Sequence, residues 1–575
     1  MGLSRRSFLV GSAAAVTTTA SGWSPLGRIL SVEAQSTTST PAGLPNGLVA
    51  YKQRYENWSG EIRIDALWTC DPTSPSDVVA LANWAQANGW RLRPKGFSHN
   101  WSPLTVDQAT TVDDQVLLID LKPNLKAITV NGGSPASVTV GTGASMDDLL
   151  LRMEQSGYGF THNPAPGDLT VGGVLAIDGH GTAIPANGET RTAGHTYGSL
   201  SNLIVSLTAV VWDAATGQYV LRTCQRNQPE AAVLAAHVGR ALLTEVTLRV
   251  GANKRVRCQS YMDVPTWELF AAPGSWLRTA DSYLKRSGRI EVILFPFTSL
   301  PWLKVWTPTS SKPWFARQVD QPYNYPFSDS LSPELTNTIS QIQTGAPWLA
   351  PTLGSLQWSI VNAGLTTTNS WDLWGWSKNT SLYVKPTTLR VTANGYAVLC
   401  KRADVQRVLH EFWNRFNSMV TAYRLQGKYP MNGPLEIRVT GLDQPSDIGV
   451  AGARAPQLSA TRPRADHPEW DCAVWLDVLT LPGTPYAEQF YRELEQWCLA
   501  NYTGNYASVR VEWSKGWGYT DNAAWSDPAV ISGSVPASLT IGQPAGQQFA
   551  DARATLNALD PHRIYTSPLL EQLLP

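Results

Sequence analysis

The chain has 575 residues with 45 basic and 45 acidic side chains, so its formal net charge is zero. This balance argues against nucleic acid as a partner, and the length is sufficient for two or three domains with large cores. No apolar stretch is long enough for a transmembrane helix. The six cysteines are scattered without a C-x-x-C or other metal-ligand spacing, so the sequence predicts no metal site and leaves any disulfide pairing open.

The first 34 residues have the composition of an export signal. Arg5-Arg6 is a twin-arginine pattern, a mild apolar run at residues 10–20 follows it, and Val32-Glu33-Ala34 is a candidate cleavage site. The alternative interpretation is a disordered basic N-terminus. We expect export by the twin-arginine route, which carries proteins already folded in the cytoplasm, and both a periplasmic and a secreted destination fit.

The first predicted helix and strand lead into a loop that carries a histidine. Residues 76–89 have a helical apolar stripe with Ser76 as the candidate N-cap and a glycine at the end. Residues 90–93 alternate as a short strand, and the loop that follows contains Gly96 and His99. Glycine in such a loop lets backbone N–H groups converge on an anion. A lone histidine in a loop is more often a surface or hydrogen-bonding residue.

A second glycine-rich stretch lies further along the chain. Five glycines fall within residues 167–181 and would let the backbone come close to a ligand. The stretch has neither the G-x-G-x-x-G fingerprint of a dinucleotide site nor the lysine of a Walker loop. Strands predicted at 138–140, 203–212 and 240–250, with a helix that opens at Ser145, indicate a mixed α+β domain rather than a regular parallel sheet.

The two glycine-containing stretches together resemble the flavin-binding half of the vanillyl-alcohol-oxidase type of flavoprotein. In that family an R-P-x-G-x-x-H loop and a later T-x-G-G-x-x-x-x-x-G-H-G segment wrap the FAD pyrophosphate, and the histidine often carries the flavin covalently. The resemblance therefore implies FAD attached through His99. A third segment, Gly194 to Ser201, borders the flavin in this family, although by itself it is only a Gly-Ser turn. The residues implied to contact FAD are Arg93, Pro94, Lys95, Gly96, Phe97, Ser98, His99, Asn100, Pro166, Gly167, Thr170, Val171, Gly172, Gly173, Gly179, His180, Gly181, Tyr197 and Ser199.

The second half of the chain is rich in tryptophan and in longer amphipathic helices. Apolar residues recur at helical spacing from Val405 to Tyr423 and from Gln489 to Asn501. Leu389–Val391 and Ala473–Leu479 are predicted strands. Helices packed on an antiparallel sheet are the economical architecture.

One strand of this half places two opposite charges side by side. Glu436 and Arg438 are two residues apart, so on a strand they point to the same face. They can pair, and beside a flavin the arginine would favour developing negative charge while the glutamate accepts or relays a proton. The alternative interpretation is an ordinary salt bridge on a solvated sheet face.

From about Tyr51 to Pro575 the sequence is similar to the covalent-flavin (class II) cholesterol oxidases of bacteria. The strings that carry this similarity are Tyr55-Glu-Asn-Trp-Ser59, Phe295-Pro-Phe-Thr, Pro301-Trp-Leu-Lys-Val-Trp306, Pro322-Tyr-Asn-Tyr325, Trp374-Gly-Trp-Ser-Lys378, Asn432 to Arg438, Thr461-Arg-Pro-Arg464, Asp466-His-Pro468, Glu512-Trp-Ser-Lys-Gly-Trp517 and Asp560-Pro-His-Arg563. They favour the sterol branch over the sugar-oxidising branch of the superfamily.

The similarity also implies roles for single residues. Glu436 and Arg438 would lie over the flavin beside a gas channel that Glu291 helps to gate, and Lys515 matches an active-site lysine. Two positions depart from the family, which tends to carry Glu where Ala393 stands and Asn where Asp477 stands. The departures put oxygen access in doubt more than flavin binding.

We therefore predict a two-domain α+β flavoprotein with FAD covalently bound through His99. The predicted segments are a signal peptide (1–34), a linker (35–50), an FAD-binding domain (51–252), a substrate domain with a large antiparallel sheet (253–505) and a C-terminal segment that returns to the FAD domain (506–575).

The expected reaction is oxidation of a 3β-hydroxysteroid by O2 to a 3-ketosteroid and H2O2, with isomerisation of the 5-ene to the 4-ene and transient contact with sterol-containing membranes. The alternatives are a carbohydrate or other alcohol oxidase on the same scaffold, and an exported lipid-binding protein without turnover.

Overall fold

A computed structural model describes residues 40–575 apart from 166–168, 193, 329–331, 382 and 384–388. The predicted signal peptide, the start of the linker, Pro166 and Gly167 lie outside the described residues. Nowhere in the described part of the chain is a helix both long enough and apolar enough to cross a membrane.

Two sheets build the N-terminal part of the molecule. The first has the strand order β1-β2-β4-β3, in which only the β1–β2 pair is antiparallel. The second is antiparallel with the order β5-β6-β10-β8-β9, and a two-stranded ribbon pairs β7 with β11. The strands are β1 (Ala50–Glu56), β2 (Arg63–Cys70), β3 (Arg91–Lys95), β4 (Val116–Asp120), β5 (Ile128–Asn131), β6 (Ser137–Gly141), β7 (Tyr158–Gly159), β8 (Ile204–Asp213), β9 (Gln218–Gln225), β10 (Leu242–Arg249) and β11 (Gly251–Ala252).

The helices of this part begin and end at the residues that local chemistry favours. The first predicted helix is confirmed, but its N-cap is Ser74 rather than Ser76, because Pro75 takes the first helical position. Strand β3 continues through Pro94, contrary to the predicted loop start, because it lies at a sheet edge where a missing N–H is tolerated. The helices are α1 (Pro75–Asn88), α2 (Met146–Gln155), α3 (Val171–Ala176) and α4 (Pro229–Leu234).

A nine-stranded sheet dominates the second half. Its order is β15-β16-β12-β14-β13-β18-β19-β17-β20, antiparallel except for the β15–β16 pair. The predicted strand at Leu389–Val391 is wrong, since the strand begins at Thr392, whereas the strand at 473–479 is confirmed. The strands are β12 (Arg255–Tyr261), β13 (Arg289–Leu294), β14 (Trp302–Pro308), β15 (Arg317–Val319), β16 (Asp372–Trp376), β17 (Thr392–Cys400), β18 (Leu435–Gly441), β19 (Cys472–Thr480) and β20 (Ala507–Val511).

Most helices of the second half pack around this sheet. The predicted helices at 405–423 and 489–501 are confirmed, with slightly longer bounds. The helices are α5 (Thr266–Leu269), α6 (Ala280–Ser287), α7 (Pro333–Gln343), α8 (Ala350–Thr367), α9 (Ser377–Thr380), α10 (Val405–Leu425), α11 (Ala487–Asn501), α12 (Val535–Thr540), α13 (Phe549–Leu559) and α14 (Pro568–Leu573).

The two faces of the nine-stranded sheet differ in chemistry. Leu435, Ile437 and Val439 of β18 lie in one apolar core with buried residues of α10 and α11. Because successive strand residues alternate between faces, Glu436 and Arg438 lie on the other face. The helices therefore cover the apolar face, and the charged face is turned toward the two N-terminal sheets.

All six cysteines are buried free thiols, which settles the pairing that the sequence left open. Burial raises the pKa of the Cys258 thiol to about 11. The fold is thus held by packing and polar contacts rather than by disulfides.

The C-terminal segment divides between the two halves of the molecule. Strand β20 belongs to the nine-stranded sheet, so the chain leaves that sheet only after Val511. Ile564 and Tyr565 then lie in the apolar core beside α1 and β4. The Leu92 N–H donates to the Ile564 carbonyl, which joins the end of the chain to β3. The predicted domain boundaries themselves stay predictions.

A buried ion pair fixes this C-terminal segment. Arg240 Nη1 donates to Asp560 Oδ2 at 2.6 Å with both side chains almost fully buried, and the Tyr219 hydroxyl donates to Asp560 Oδ1. We expect Asp560→Ala to destabilise the protein by about 3–5 kcal/mol, because it leaves a buried guanidinium without its counter-charge. Thermal unfolding should show this as a lower midpoint. Asp521→Ala, which breaks an exposed pair with Arg492, is the control and should lower the midpoint far less, because water screens this pair; equal shifts would contradict the prediction.

Candidate functional site

A cavity of about 490 Å³ lies between the two N-terminal sheets and the charged face of the nine-stranded sheet. One wall is formed by the loop after β3, with His99, and by the glycine-rich stretch. The other wall carries Glu291 of β13, Glu436 and Arg438 of β18, and Lys515. Residues that are far apart in sequence therefore meet around one space.

His99 lies in the cavity wall as a neutral imidazole. Its ring centroid is 4.5 Å from that of Trp58. Burial, together with the positive charge of Arg390, lowers the pKa of His99 to about 4. A neutral ring keeps a nitrogen lone pair, which nucleophilic attachment of a ligand requires.

Backbone contacts hold the His99 loop in place. The N–H groups of Trp101 and Ser102 both donate to the Ser514 carbonyl, at 2.8 and 3.1 Å. Ser98 has a φ of 60°, a left-handed conformation that is uncommon for a residue other than glycine. The loop is thus tied to the segment that carries Lys515, whose Nζ lies 3.9 Å from the Trp101 ring centroid.

The glycines permit close contacts in this wall. A Cβ on Gly96 would lie 2.5 Å from Thr170 Oγ1, which belongs to the glycine-rich stretch. A Cβ on Gly181 would lie 2.6 Å from His162 Nδ1 and 2.7 Å from the Asn163 carbonyl oxygen. Glycine is required at both positions, because a side chain at Gly96 would force the two stretches apart and one at Gly181 would clash with His162 and Asn163.

The residues of this wall fit FAD. Residues of the two glycine-containing stretches line one side of the cavity, and stretches of this kind can bring backbone N–H groups close to a pyrophosphate. Thr161 Oγ1 and His162 Nε2 are buried and have no hydrogen-bond partner among the described residues. Burial lowers the pKa of His162 to about 3, with a further contribution from Arg289, so this ring is neutral and can bind a ligand's polar group.

Arg438 is the centre of the opposite wall. Its Nε donates to Glu291 at 2.7 Å, its Nη2 to Glu436 at 2.6 Å and its Nη1 to Asp477 at 2.9 Å. Burial alone would lower the pKa of Arg438, but the neighbouring carboxylates raise it well above its usual value. The arginine is therefore a fixed positive charge. Its side chain is 17% exposed and lines the cavity, which excludes an ordinary salt bridge on a solvated face.

A second charged group lies next to Arg438. Glu512 lines the cavity, with His180 Nε2 at 3.9 Å from its Oε1. Burial would raise the pKa of Glu512, but Lys515 and His180 hold it well below its usual value. The His180 ring stacks on Trp475, with centroids 3.5 Å apart. His180 thus connects the glycine-rich wall to the charged wall.

Most of the residues predicted from sequence meet in this cavity. Those that line it are Arg93, Pro94, Lys95, Gly96, Phe97, Ser98, His99, Asn100, Thr170, Gly172, Gly173, Gly179, His180, Gly181, Glu291, Glu436, Arg438 and Lys515.

Three of the predicted FAD contacts are not brought to the cavity wall. Val171 is the first residue of α3, and its side chain is fully buried in the main apolar core. The Tyr197 hydroxyl donates to Glu189, and the Ser199 backbone N–H and hydroxyl both donate to Asp443. Their polar groups are thus occupied within the protein.

Arg93 has a structural role although it lines the cavity. Its guanidinium donates to the backbone carbonyls of Leu104, Thr105, Gly239 and Tyr565. Burial lowers the pKa of Arg93 to about 9, with a further contribution from Arg240. These contacts join the end of β3 to the Leu104–Thr105 backbone and to Gly239, and the one with Tyr565 joins it to the C-terminal segment.

Sequence reasoning missed several lining residues. Glu512 was inside a string already singled out, three residues before Lys515, and Trp58 was inside another. Thr161 and His162 lie a few residues before the glycine-rich stretch. Trp306 was the last residue of a third such string, and only for Gln357, which also lines the cavity, did the sequence carry no signal.

Comparison with known proteins gives concordant matches. Residues 68–216 match the family model of an FAD binding domain, and residues 255–575 match that of a cholesterol oxidase substrate-binding domain. No match is found among curated proteins.

Solved structures match over nearly the whole chain. A solvent-stable cholesterol oxidase is 56% identical with a TM-score of 0.92, covering 93% of this chain and 100% of that chain. The cholesterol oxidase from B. sterolicum is 45% identical with a TM-score of 0.91, covering 94% of this chain and 99% of that chain. A histidine-to-alanine mutant of the Brevibacterium sterolicum enzyme gives the same identity and TM-score.

Proposed function

The chain belongs to the cholesterol oxidase family of FAD-dependent enzymes, and from this premise we propose how its residues oxidise the 3β-hydroxyl group of a cholesterol-like sterol. The products are a 3-ketosteroid and hydrogen peroxide, with O2 as the final electron acceptor. The observation that carries the proposal is the meeting of Arg438 and Glu436 with the His99 loop around one cavity.

The glycine-containing stretches would hold FAD, and His99 would carry it covalently. Bound there, FAD would supply an acceptor for the hydride that leaves C3 of the sterol, with O2 as the final electron acceptor. The neutral state of His99 supports the covalent link, because a protonated imidazole has no lone pair to offer.

Two side chains of β18 handle the proton and the charge. Glu436 accepts the hydroxyl proton of the sterol, since Arg438 occupies its Oε2 and leaves Oε1 without a hydrogen bond to any described residue. Arg438 stabilises the negative charge that develops on the sterol oxygen. Lys515 adds a second positive charge to the same wall.

Isomerisation of the 5-ene to the conjugated 4-ene requires a carboxylate that moves a proton from C4 to C6. Glu291 and Glu436 are the candidates, because both line the cavity and both accept a hydrogen bond from Arg438. Glu291 is almost fully buried, and its Oε2 has no hydrogen-bond partner in the described chain. A buried carboxylate can transfer a proton without exchange with bulk water.

The protein meets its substrate outside the cytoplasm. The Arg5-Arg6 pattern supports export by the twin-arginine route, to the periplasm or out of the cell. Transient contact with a sterol-containing membrane is supported by Trp314 and Phe315, which are 88% and 87% exposed. Exposed aromatic side chains of this kind favour the membrane interface.

An anaerobic titration with cholesterol tests the proposal. We expect the visible absorbance of the protein-bound flavin to disappear in proportion to added cholesterol, because hydride transfer from C3 removes the oxidised chromophore. Admission of O2 should restore the absorbance and release peroxide.

A parallel titration with glucose-type oligosaccharides is the control and should leave the spectrum unchanged. Bleaching by the sugars but not by cholesterol would show that the protein is a carbohydrate oxidase on the same scaffold. If no alcohol bleached the yellow protein, the proposal of an alcohol oxidase would be wrong, and a lipid-binding protein without turnover would be favoured.

A further inference from the structure

Asp477 has a fully buried carboxyl group, of which only one oxygen accepts a hydrogen bond from a described residue. It lies on β19, and its Oδ2 accepts from Arg438 Nη1 at 2.9 Å, with Lys515 Nζ at 3.9 Å. Its Oδ1 has no donor among the described residues. A buried carboxylate oxygen without a donor is costly, so this oxygen needs a partner.

Glu512, which follows β20, has a carboxyl oxygen in the same situation as Asp477 Oδ1. Its Oε2 is also buried without a donor from the described chain. A Cβ on Gly395 would lie 2.8 Å from Asp477 Oδ1 and 2.9 Å from Glu512 Oε2, so both oxygens lie over the same glycine. The two carboxyl groups are within hydrogen-bonding reach of each other.

A single proton between these oxygens satisfies both of them. Two ionised carboxylates in contact and away from water repel strongly, whereas an acid and a carboxylate form a short charge-assisted hydrogen bond. The protonated member donates and the ionised member accepts. Neither buried oxygen is then left unpaired.

The surroundings decide which residue holds the proton. Glu512 lines the cavity and has Lys515 and His180 beside it, which favours its ionised form. Asp477 does not line the cavity and lies beneath the charged wall. Arg438 contacts Asp477, but its charge is shared with Glu291 and Glu436.

We propose that Asp477 is a neutral positioning residue. Its protonated carboxyl group donates a hydrogen bond to the Glu512 carboxylate, and its other oxygen accepts from Arg438 and so holds Arg438 at the cavity wall. The direction of the pKa shifts agrees with this assignment. Burial, followed by the charge of Glu512, raises the pKa of Asp477 well above its usual value. Asp477 thus orients two cavity residues without adding a second negative charge next to them.

Infrared difference spectroscopy on the holoenzyme tests the proton directly. We expect the spectrum of the wild-type protein minus that of Asp477→Asn at neutral pH to show a protonated carboxyl C=O band. Labelling with ¹³C-aspartate should shift that band to lower frequency. The Glu512→Gln protein should lack this band. The glutamine amide can donate a hydrogen bond to Asp477, so Asp477 ionises beside Arg438.

Each spectroscopic outcome decides a part of the proposal. A missing band in the wild-type difference would show that Asp477 is ionised and would overturn it. A band that persists in Glu512→Gln would show that burial alone protonates Asp477 and would overturn the shared proton. Asp372→Asn, which removes a carboxylate held by Arg257 at two hydrogen bonds, is the matched control and should give no such band.

Kinetics test the positioning role, and this part rests on the proposed sterol oxidation. Asn at position 477 can still accept from Arg438 and donate to Glu512, whereas Leu can do neither. We expect turnover of cholesterol to be about tenfold lower in Asp477→Leu than in Asp477→Asn, in variants with equal flavin content. Equal turnover would overturn the positioning role. A wild-type protein without turnover would contradict the proposed function and leave the infrared result standing.

Discussion

Replacement of His99 by alanine should release the flavin when the protein is denatured. In the wild-type protein we expect the yellow colour to precipitate with the acid-denatured chain, because the proposed covalent bond between His99 and the flavin survives denaturation. In His99→Ala the flavin should remain in the supernatant, since the remaining contacts of the cavity depend on the folded wall. The measurement is the flavin absorbance of pellet and supernatant after precipitation.

His162→Asn is the matched control for the His99 experiment. His162 also lines the cavity, and an asparagine oxygen can replace the Nδ1 atom that accepts from the Gly181 N–H. This variant should keep the flavin attached after denaturation. Flavin that stays with the denatured His99→Ala chain would refute His99 as the link and direct attention to His180, another imidazole of the same wall.

Replacement of Glu436 by glutamine should reduce turnover at least ~100-fold while flavin binding stays intact. The amide keeps the size of the side chain and an acceptor for Arg438 Nη2, but it cannot take the sterol proton. Peroxide and the conjugated 4-en-3-one should be followed separately. A fall of both would place Glu436 in the oxidation step, which precedes isomerisation.

Glu268→Gln provides the control for Glu436. Glu268 pairs with Arg278 and is not part of the cavity lining, so its replacement should leave turnover unchanged. Steady-state turnover of Glu436→Gln equal to that of the wild-type protein would remove Glu436 from the mechanism. Unchanged peroxide with a loss of the enone alone would restrict Glu436 to the isomerisation.

The sequence was sufficient for the strongly periodic elements. The apolar spacing of residues 405–423 predicted α10, and the alternation at 473–479 predicted β19. It was less reliable at element ends. Leu389–Val391 has strand-like residues, yet the strand begins only at Thr392, because pairing with β19 rather than local propensity sets where a strand begins.

The predicted site residues also divide into those that local sequence spacing identified and those whose orientation it did not. The His99 loop and the glycine-rich stretch were found because glycine spacing is a local requirement of close backbone contact. Val171, Tyr197 and Ser199 lie in or beside these motifs but face the core or other side chains. Membership in a motif therefore did not fix which way a side chain points.

The sequence by itself determined the cofactor loops, the alternation that puts Glu436 and Arg438 on one face of a strand, and the family to which the chain belongs. These features depend on short-range spacing, which the order of residues contains directly. Only the tertiary structure decided that Arg438 binds the carboxyl groups of Glu291, Glu436 and Asp477 on three strands, and that Asp477 lies next to Glu512 above Gly395. The reason is that strand order in the nine-stranded sheet is not sequence order, so the neighbours of a buried charge, and with them its protonation, are set by how distant strands pair.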